Sequence, residues 1–207
     1  MSSACVRILV TAFGAFPGAP RNPTLAITRQ LADRHQRRLA RLGIQLQTQT
    51  LPVDFARLDA ALLAGLSGGA DVVVHLGLAG ARKAVSVETR ALNKRSILRP
   101  DAMRARAASR DLEPGPFERR ARWPAQRLVR VMRAHILTQL SRDAGDYLCN
   151  QTLWLTLGRH RGLAGFVHVP RPSADLPLEA MTRAIVQALI LLAAQHRQLN
   201  QLGVIGS

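Results

Sequence analysis

Short apolar, β-branched runs alternate with segments of helical spacing along the whole chain. The runs predict strands over 6–11, 44–51, 71–76, 85–92, 138–141 and 165–169. Apolar residues at three- and four-residue spacing predict helices over 22–42, 54–66, 124–136, 149–157 and 178–198. Strands that alternate with helices are typical of a mainly parallel, twisted sheet covered by helices. The pattern therefore predicts one α/β/α sandwich domain over residues 1–207.

Residues 94–123 depart from this pattern, because they show no clean period and are dense in arginine. They predict a long irregular loop, and a loop of this length in a compact domain is often functional. Its like charges repel one another, and the few acidic residues within it offset only part of that repulsion. We therefore expect a segment that is mobile or is ordered by a neighbouring subunit.

The formal net charge of +16 comes almost entirely from arginine, with 27 Arg against 2 Lys in the 207 residues. Nucleic-acid binding through phosphate contacts is one interpretation. However, only 4% of the residues are aromatic, and the arginines are spread along the whole chain. Stacking platforms for single strands are therefore scarce. The spread favours a solvated basic surface, and nucleic acid is not the expected partner.

No secretory signal is expected, because the N-terminus lacks a charged region followed by a long apolar stretch. The most apolar run, 184–194, contains Gln187 and is shorter than the ~20 residues that span a bilayer. We therefore expect a cytoplasmic protein without a membrane partner. In that compartment Cys5 and Cys149, which lie far apart in sequence, are expected to be free thiols.

Three residues of different chemistry form a possible catalytic set. Cys149 lies where a loop enters a predicted helix, a position that lowers a thiol pKa. His168 lies near the end of the strand over 165–169, where functional groups of open α/β sheets gather. Glu88 lies on the polar face of its strand. Alone, each has a simpler explanation: a buried structural thiol, a hydrogen-bonded core histidine and a solvated carboxylate. Together they supply the nucleophile, proton carrier and orienting acid of a thiol hydrolase.

Five segments carry a resemblance that joins these residues. They are TAFGAFPG at 11–18 followed by Asn22-Pro23, LPVDF at 51–55, GLAGAR at 77–82 followed by Val87-Glu88 and Asn93, AGDYLCN at 144–150, and GFVHVP at 165–170. In order and spacing, they resemble the pyroglutamyl-peptidase I family of cysteine peptidases, which remove an N-terminal pyroglutamate. The resemblance covers nearly the whole chain. It implies that Cys149 attacks the scissile carbonyl, His168 activates it and Glu88 orients the imidazole.

The resemblance also implies a binding slot for the small, uncharged lactam ring. Phe13 and Phe16 would flank the ring, and Tyr147 and Leu148 would line the pocket wall. Asn22 would hold the loop that carries the phenylalanines, although a helix N-cap explains it equally well. An apolar slot with a few backbone hydrogen bonds would select a lactam over a charged N-terminus. No cofactor or metal is implied, and a homo-oligomer, a tetramer in many members, is implied by resemblance alone.

The chain departs from the family pattern around this slot. Ala12 and Ala15 replace a glycine and a proline, and Pro17 stands in the loop where a glycine is usual. In the family an arginine of the segment after the catalytic glutamate is thought to lie near the oxyanion site. Here Arg99 is displaced from that position by one residue, which turns a side chain to the opposite face of an extended segment.

Three functions follow from these observations. The leading one is a cytosolic peptidase that acts on pyroglutamyl peptides. The second is a diverged homologue with altered or lost acyl specificity, and the third is an arginine-rich nucleic-acid-binding protein on the same fold. For the first two, we expect residues 94–123 to lie at the rim of the active site.

Overall fold

The computed structural model of the protein describes residues 5–16 and 18–204. Pro17, one of the departures from the family pattern, falls outside these residues. Five of the six predicted strands form with small changes at their ends. In chain order the described strands are β1 (Val6–Phe13), β2 (Ile44–Leu51), β3 (Val72–Leu78), β4 (Val85–Glu88), β5 (Arg90–Leu92), β6 (Glu118–Arg120), β7 (Thr138–Ser141) and β8 (Leu163–Val169).

Six of these strands make one mixed sheet, in the order β2-β1-β3-β8-β4-β7. The neighbours pair in parallel except β4 and β8, which are antiparallel. In that antiparallel pair Ser86 lies opposite His168. Glu88 follows Ser86 by two residues, and side chains two apart share a face of a sheet. The pairing therefore brings Glu88 to the face that carries His168.

The helices cover both faces of the sheet, as predicted for an α/β/α sandwich. They are α1 (Pro23–Gln30), α2 (Gln36–Arg41), α3 (Phe55–Leu66), α4 (Ala125–Arg133), α5 (Leu148–Arg159) and α6 (Leu178–Gln201), with a π-helical turn (Leu31–His35) between α1 and α2. One apolar core joins α1, α2, α4 and α6 to the sheet. The other joins α3 and α5 to the opposite face, where Trp154 and Phe166 are fully buried.

The single strand predicted over 85–92 is wrong, because the chain changes partners at Thr89. The Thr89 amide and hydroxyl both donate to the Ser141 carbonyl, at 2.8 and 2.9 Å. Beyond this point β5 leaves the main sheet and pairs with β6 in a separate two-stranded sheet. The predicted loop over 94–123 is therefore wrong at Glu118–Arg120, which forms β6.

The arginine-rich segment is ordered by hydrogen bonds from within the chain. Asp101, which is 4% exposed, accepts from the amides of Phe55, Met103 and Ala105 at 2.9 Å each. Asn93 Oδ1 accepts from two further amides of the segment, those of residues 112 and 113. The expectation of a mobile or neighbour-ordered loop overlooked these anchors, because isolated Asp and Asn residues give no periodic signal.

Helix α6 has 24 residues, and its most apolar 18-residue window has a mean hydropathy of 1.3, so it is long and apolar enough to cross a membrane. The run 184–194 is by itself too short, as expected, but the helix around it, predicted over 178–198, extends to Gln201 and meets the test by length and composition only. Yet 56% of the window is buried inside the protein. Ile185, Leu189 and Leu192 are fully buried in the core, which accounts for the apolar character of the helix.

Candidate functional site

Three elements bring the predicted catalytic residues together at one edge of the sheet. His168 lies near the carboxyl end of β8, in register with Gly77 on β3 and Ser86 on β4. Cys149 is the second residue of α5. Cys149 and His168 line the same cavity. This convergence of a strand end and a helix start is the position that the sequence predicted for a catalytic set.

The imidazole of His168 and the carboxylate of Glu88 are in direct contact. His168 Nδ1 lies 2.8 Å from Glu88 Oε1, and the two residues are 4% and 0% exposed. The same oxygen accepts from Arg82 Nη1 at 2.7 Å. Arg82 can only donate, so Glu88 Oε1 is the acceptor in the bond with Arg82. The same oxygen accepts in the bond with the imidazole, and His168 Nδ1 therefore donates. The other nitrogen, Nε2, is then free to accept a proton.

The burial of Glu88 corrects the interpretation of a solvated carboxylate. Both faces of β4 are covered in this structure, so the polar face of the strand is inside the protein. Its second oxygen, Oε2, is buried and has no hydrogen-bond partner among the described residues. A buried carboxylate is stable when it is paired and hydrogen-bonded, and here a guanidinium and an imidazole supply both.

Cys149 packs tightly against the sheet. A Cβ at Gly77 would lie 3.0 Å from Cys149 Sγ and 2.6 Å from Phe166 Cζ. Only glycine therefore allows the helix to bring the thiol this close to β3. The N-cap residue, Tyr147, makes no side-chain cap. The first amides of α5 are thus left without a side-chain acceptor, as an oxyanion-binding turn requires.

The pKa shifts of the thiol and the imidazole have the same main cause. Burial raises the pKa of Cys149 to about 12, and the charge of Glu88 adds to the rise, while Arg82 and Arg99 oppose it. Burial also lowers the pKa of His168, while the hydrogen bond that His168 donates to Glu88 raises it. The expectation of a lowered thiol pKa is therefore wrong, because desolvation outweighs the helix N-terminus. At neutral pH the site holds a neutral thiol beside a neutral imidazole.

The cavity next to the thiol has a volume of about 410 Å³, within the range of small-molecule sites. All the residues predicted for substrate binding line it, namely Phe13, Phe16, Asn22, Arg99, Tyr147 and Leu148. We call it the substrate pocket. Phe13 and Leu148 are buried at 4% and 1% exposure, so they form its floor and wall rather than its rim.

Asn22 both caps α1 and holds the loop that carries the phenylalanines. Its Oδ1 accepts from the Thr24 amide at 3.1 Å and the Thr24 hydroxyl at 2.8 Å. Its Nδ2 donates to the carbonyls of Phe13 and Gly14, at 3.0 and 3.3 Å. The two interpretations of the sequence are therefore correct together. A side chain with both a donor and an acceptor end can serve two elements at once.

Tyr147 and Arg99 form the side of the pocket nearest to the arginine-rich segment. The Tyr147 hydroxyl donates to the Pro100 carbonyl at 2.9 Å, and its ring packs edge-on against Phe55. Arg99 lies over the Tyr147 ring at 5.4 Å, and its Nη1 is 3.5 Å from Asp146 Oδ1. The guanidinium is 65% exposed. The segment thus borders the site, as predicted, and Arg99 stands at the rim.

Arg82, which was not among the predicted site residues, lies in the pocket beside Glu88. Its Nη2 donates to the Asp143 carbonyl at 2.6 Å, so it ties the acid to the loop that leads into α5. The available signal was its place in the GLAGAR segment, six residues before Glu88. Apart from that place, no periodic pattern distinguishes Arg82 from the 26 other arginines.

No group of three or more His, Cys, Asp and Glu side chains within 5–16 and 18–204 is arranged to hold a metal ion. Cys5 is exposed and Cys149 is partly buried, and both are free thiols, as predicted. The site itself offers a thiol and an imidazole on one cavity, and a carboxylate bonded to that imidazole.

Known proteins with similar sequences and structures share one description. A family model described as pyroglutamyl peptidase matches residues 6–188. The pyrrolidone-carboxylate peptidase of Gloeobacter violaceus is 34% identical over 173 residues, covering 80% of this chain and 82% of the relative. That of Clavibacter michiganensis is 31% identical, covering 79% and 78%.

Solved structures agree with the sequence matches. The pyrrolidone carboxyl peptidase of Thermus thermophilus superposes with a TM-score of 0.78 at 33% identity, covering 88% of this chain and 98% of that one. The enzyme of Thermococcus litoralis gives a TM-score of 0.82 at 26% identity, covering 94% and 96%. The fold and the family model thus point to the same group of proteins.

Proposed function

The chain belongs to the pyroglutamyl peptidase family of cysteine peptidases, which remove N-terminal pyroglutamate, and we propose that Cys149, His168 and Glu88 perform this hydrolysis here. The observation that carries the proposal is the bond of His168 Nδ1 to Glu88 Oε1 at 2.8 Å, beside a thiol on the same pocket. This bond sets the tautomer in which Nε2 can accept the thiol proton.

The first half of the reaction forms a thioester. Cys149 Sγ attacks the carbonyl carbon of the pyroglutamyl residue while its proton passes to His168 Nε2. Amides of the first turn of α5 stabilise the oxyanion. When the tetrahedral intermediate collapses, the imidazolium gives its proton to the leaving nitrogen and the C–N bond breaks. The shortened peptide departs with a free amino terminus.

The second half reverses these roles with water. His168 Nε2 takes a proton from the water, whose oxygen attacks the thioester carbon. The C–S bond then breaks, the imidazolium returns the proton to sulfur, and pyroglutamate leaves. Because the resting thiol pKa is raised to about 12, proton transfer to His168 must accompany the attack on the substrate.

The substrate pocket suits a flat lactam. Phe13 and Phe16 provide apolar surface for the ring, and Asn22 holds the backbone between β1 and this loop. A charged amino terminus would lose its hydration in such a slot without gaining a buried acid to pair with. The test is a pair of fluorogenic amides that differ only in the acyl group. We expect hydrolysis of pyroglutamyl amide and no hydrolysis of prolyl amide, whose ring is charged. Equal rates, or a lack of activity with the first, would favour a diverged homologue.

Replacing Arg82 by glutamine should move the acid limb of the kcat/KM–pH profile to higher pH. Arg82 lowers the pKa of His168 through its charge. Without that charge the imidazole protonates at a higher pH, and the protonated form cannot accept the thiol proton. The matched control is Arg106→Gln, an exposed arginine outside the pocket. If the acid limb of both variants lies at the same pH as that of wild type, Arg82 has no electrostatic role in the site.

Replacing Arg99 by alanine should lower kcat by well under the ~100-fold that follows the loss of an oxyanion donor. Arg99 is largely exposed and contacts Tyr147 and Asp146 at the rim. Because it is displaced by one residue from the family position, we expect the amides of α5, and not Arg99, to stabilise the oxyanion. Steady-state kinetics with the fluorogenic amide provide the measurement. A loss of ~100-fold or more would mean that Arg99 swings inward and serves the oxyanion itself.

We further propose a cytosolic homo-oligomer, on the sequence grounds given above. The nucleic-acid alternative gains no support from the site, because the arginine-rich segment borders a pocket and is tied down within the chain. A steep salt dependence of oligonucleotide binding would be needed to revive it.

A further inference from the structure

A second cavity, of about 220 Å³, lies beside the substrate pocket. Its lining is Lys94, Arg95, Ser96, Ile97, Leu98, Arg110 and Asp146. We call it the cationic cavity. Asp146 belongs to the lining of both cavities. The two therefore adjoin, and Asp146 is the wall between them.

The cationic cavity holds positive charge without a matching acid. In the described part of the chain, the side chains of Lys94 and Arg110 have no hydrogen-bond or ion-pair partner. Arg95 donates only to uncharged oxygens, the Ser109 carbonyl and hydroxyl, each at 2.9 Å. The carboxylate of Asp146 is engaged by Arg99 at 3.5 Å. Three cations thus face a small cavity whose one acid is already paired.

Hydrogen bonds to the backbone of these residues hold the cations in place relative to the thiol. The Lys94 carbonyl accepts from Asn150 Nδ2 at 2.8 Å, and Asn150 is the neighbour of Cys149 on α5. The Ser96 amide donates to the Asp146 carbonyl at 2.5 Å, and the Arg95 amide to the Arg110 carbonyl at 2.7 Å. The cavity is therefore built onto the helix that carries the nucleophile, rather than onto a free surface loop.

We propose that the cationic cavity binds a carboxylate of the leaving part of the substrate, so that the enzyme prefers short acidic pyroglutamyl peptides. This inference rests on the proposed function. The acyl ring fills the pocket at Phe13 and Phe16, so the residues after the scissile bond must leave it. An extended peptide advances ~3.3–3.6 Å per residue, so its first few residues can cross the wall at Asp146.

The charge of the substrate fits this cavity. A pyroglutamyl peptide has no amino-terminal charge, because the lactam nitrogen is an amide. A short one with a free carboxyl end or an acidic side chain is therefore a net anion. Lysine and arginine bind carboxylates through charge-assisted hydrogen bonds. Asp146 is the one group on the wall that would repel such an anion. Arg99 pairs with it and screens its charge.

The test compares peptides that differ in one carboxylate. The set is pyroglutamyl-alanyl-alanine amide, the same peptide with a free carboxyl end, and the amide with glutamate in place of either alanine. We expect kcat/KM to be ~3- to 10-fold higher for the best carboxylate peptide at low salt, and the advantage to shrink as salt screens it. The placement of the best carboxylate distinguishes recognition of a side chain from recognition of the chain end.

Two double variants separate the cavity from the overall charge. Lys94→Gln with Arg110→Gln should bring the ratio of carboxylate to amide rates close to one. Arg106→Gln with Arg130→Gln removes the same charge from exposed positions outside both cavities, and it should keep the ratio. Both rates come from one preparation, so partial unfolding lowers them equally and leaves the ratio intact.

A wild-type ratio near one would overturn the proposal while the hydrolysis of neutral pyroglutamyl peptides still supported the proposed function. If both double variants lowered the ratio of carboxylate to amide rates equally, the proposal would also be overturned. The preference for a carboxylate would then come from the positive charge of the whole protein and not from the cationic cavity. Failure to cleave any pyroglutamyl peptide would count against the proposed function instead.

Discussion

Cys149→Ala should reduce the hydrolysis of a pyroglutamyl amide by a factor of ~10⁴ or more, the usual cost of removing a catalytic nucleophile. Alanine cannot form the thioester, and no other thiol of the chain lines the substrate pocket. The measurement is kcat for the purified variant against wild type, with circular dichroism to show that the fold is retained.

Cys5→Ala is the matched control, because Cys5 is exposed and precedes β1. It should keep close to the wild-type rate. Cys149→Ser keeps the size and the proton of the side chain but replaces sulfur with a poorer nucleophile, so it should also lose most activity. If Cys5→Ala were inactive and Cys149→Ala active, the assignment of the nucleophile would be wrong.

Glu88→Gln should lower kcat by up to ~10⁴, the cost of the matching acid-to-amide change in a Ser-His-Asp triad. His168 and Arg82 both donate to the same carboxylate oxygen, Oε1, so a neutral amide oxygen could still accept from them, but more weakly. Glutamine carries no charge, and the imidazolium that forms during the reaction would lose the carboxylate that stabilises it. The hydrogen bond that His168 donates to Glu88, and the charge of that carboxylate, raise the pKa of His168. Removing the charge should therefore move the acid limb of the pH profile to lower pH.

This shift is opposite in direction to that expected for Arg82→Gln, so the two profiles together test the electrostatics of the site. Glu179→Gln serves as a control, because that carboxylate is 44% exposed and pairs with Arg34 and Arg183 on the surface. Full activity in Glu88→Gln, with an unmoved acid limb, would show that His168 works without this carboxylate.

The regular elements were predictable because apolar periodicity reports which face of a strand or helix is buried. The strand over 71–76 and the helix over 54–66 were found within two residues of their ends. Cys149, His168 and Glu88 were predicted as a catalytic set because three separate segments match one family pattern. None of this required knowledge of which strands lie side by side.

The features that were missed depend on contacts between distant segments. The burial of Glu88 was not predicted, since a single sequence does not show that both faces of β4 are covered. The thiol pKa was expected to fall, because the helix terminus is visible in sequence while its burial is not. Arg82 and Asp101 hold the site through side-chain hydrogen bonds, which leave no periodic trace.

The most direct test of the account is to find which atom becomes acylated. An activated pyroglutamyl ester acylates quickly, so the thioester accumulates and can be trapped by acid quench. Peptide mapping by mass spectrometry should then place one pyroglutamyl group on the peptide that contains Cys149 and none on the one that contains Cys5. Turnover of the ester with the acyl group on any residue other than Cys149 would contradict the account.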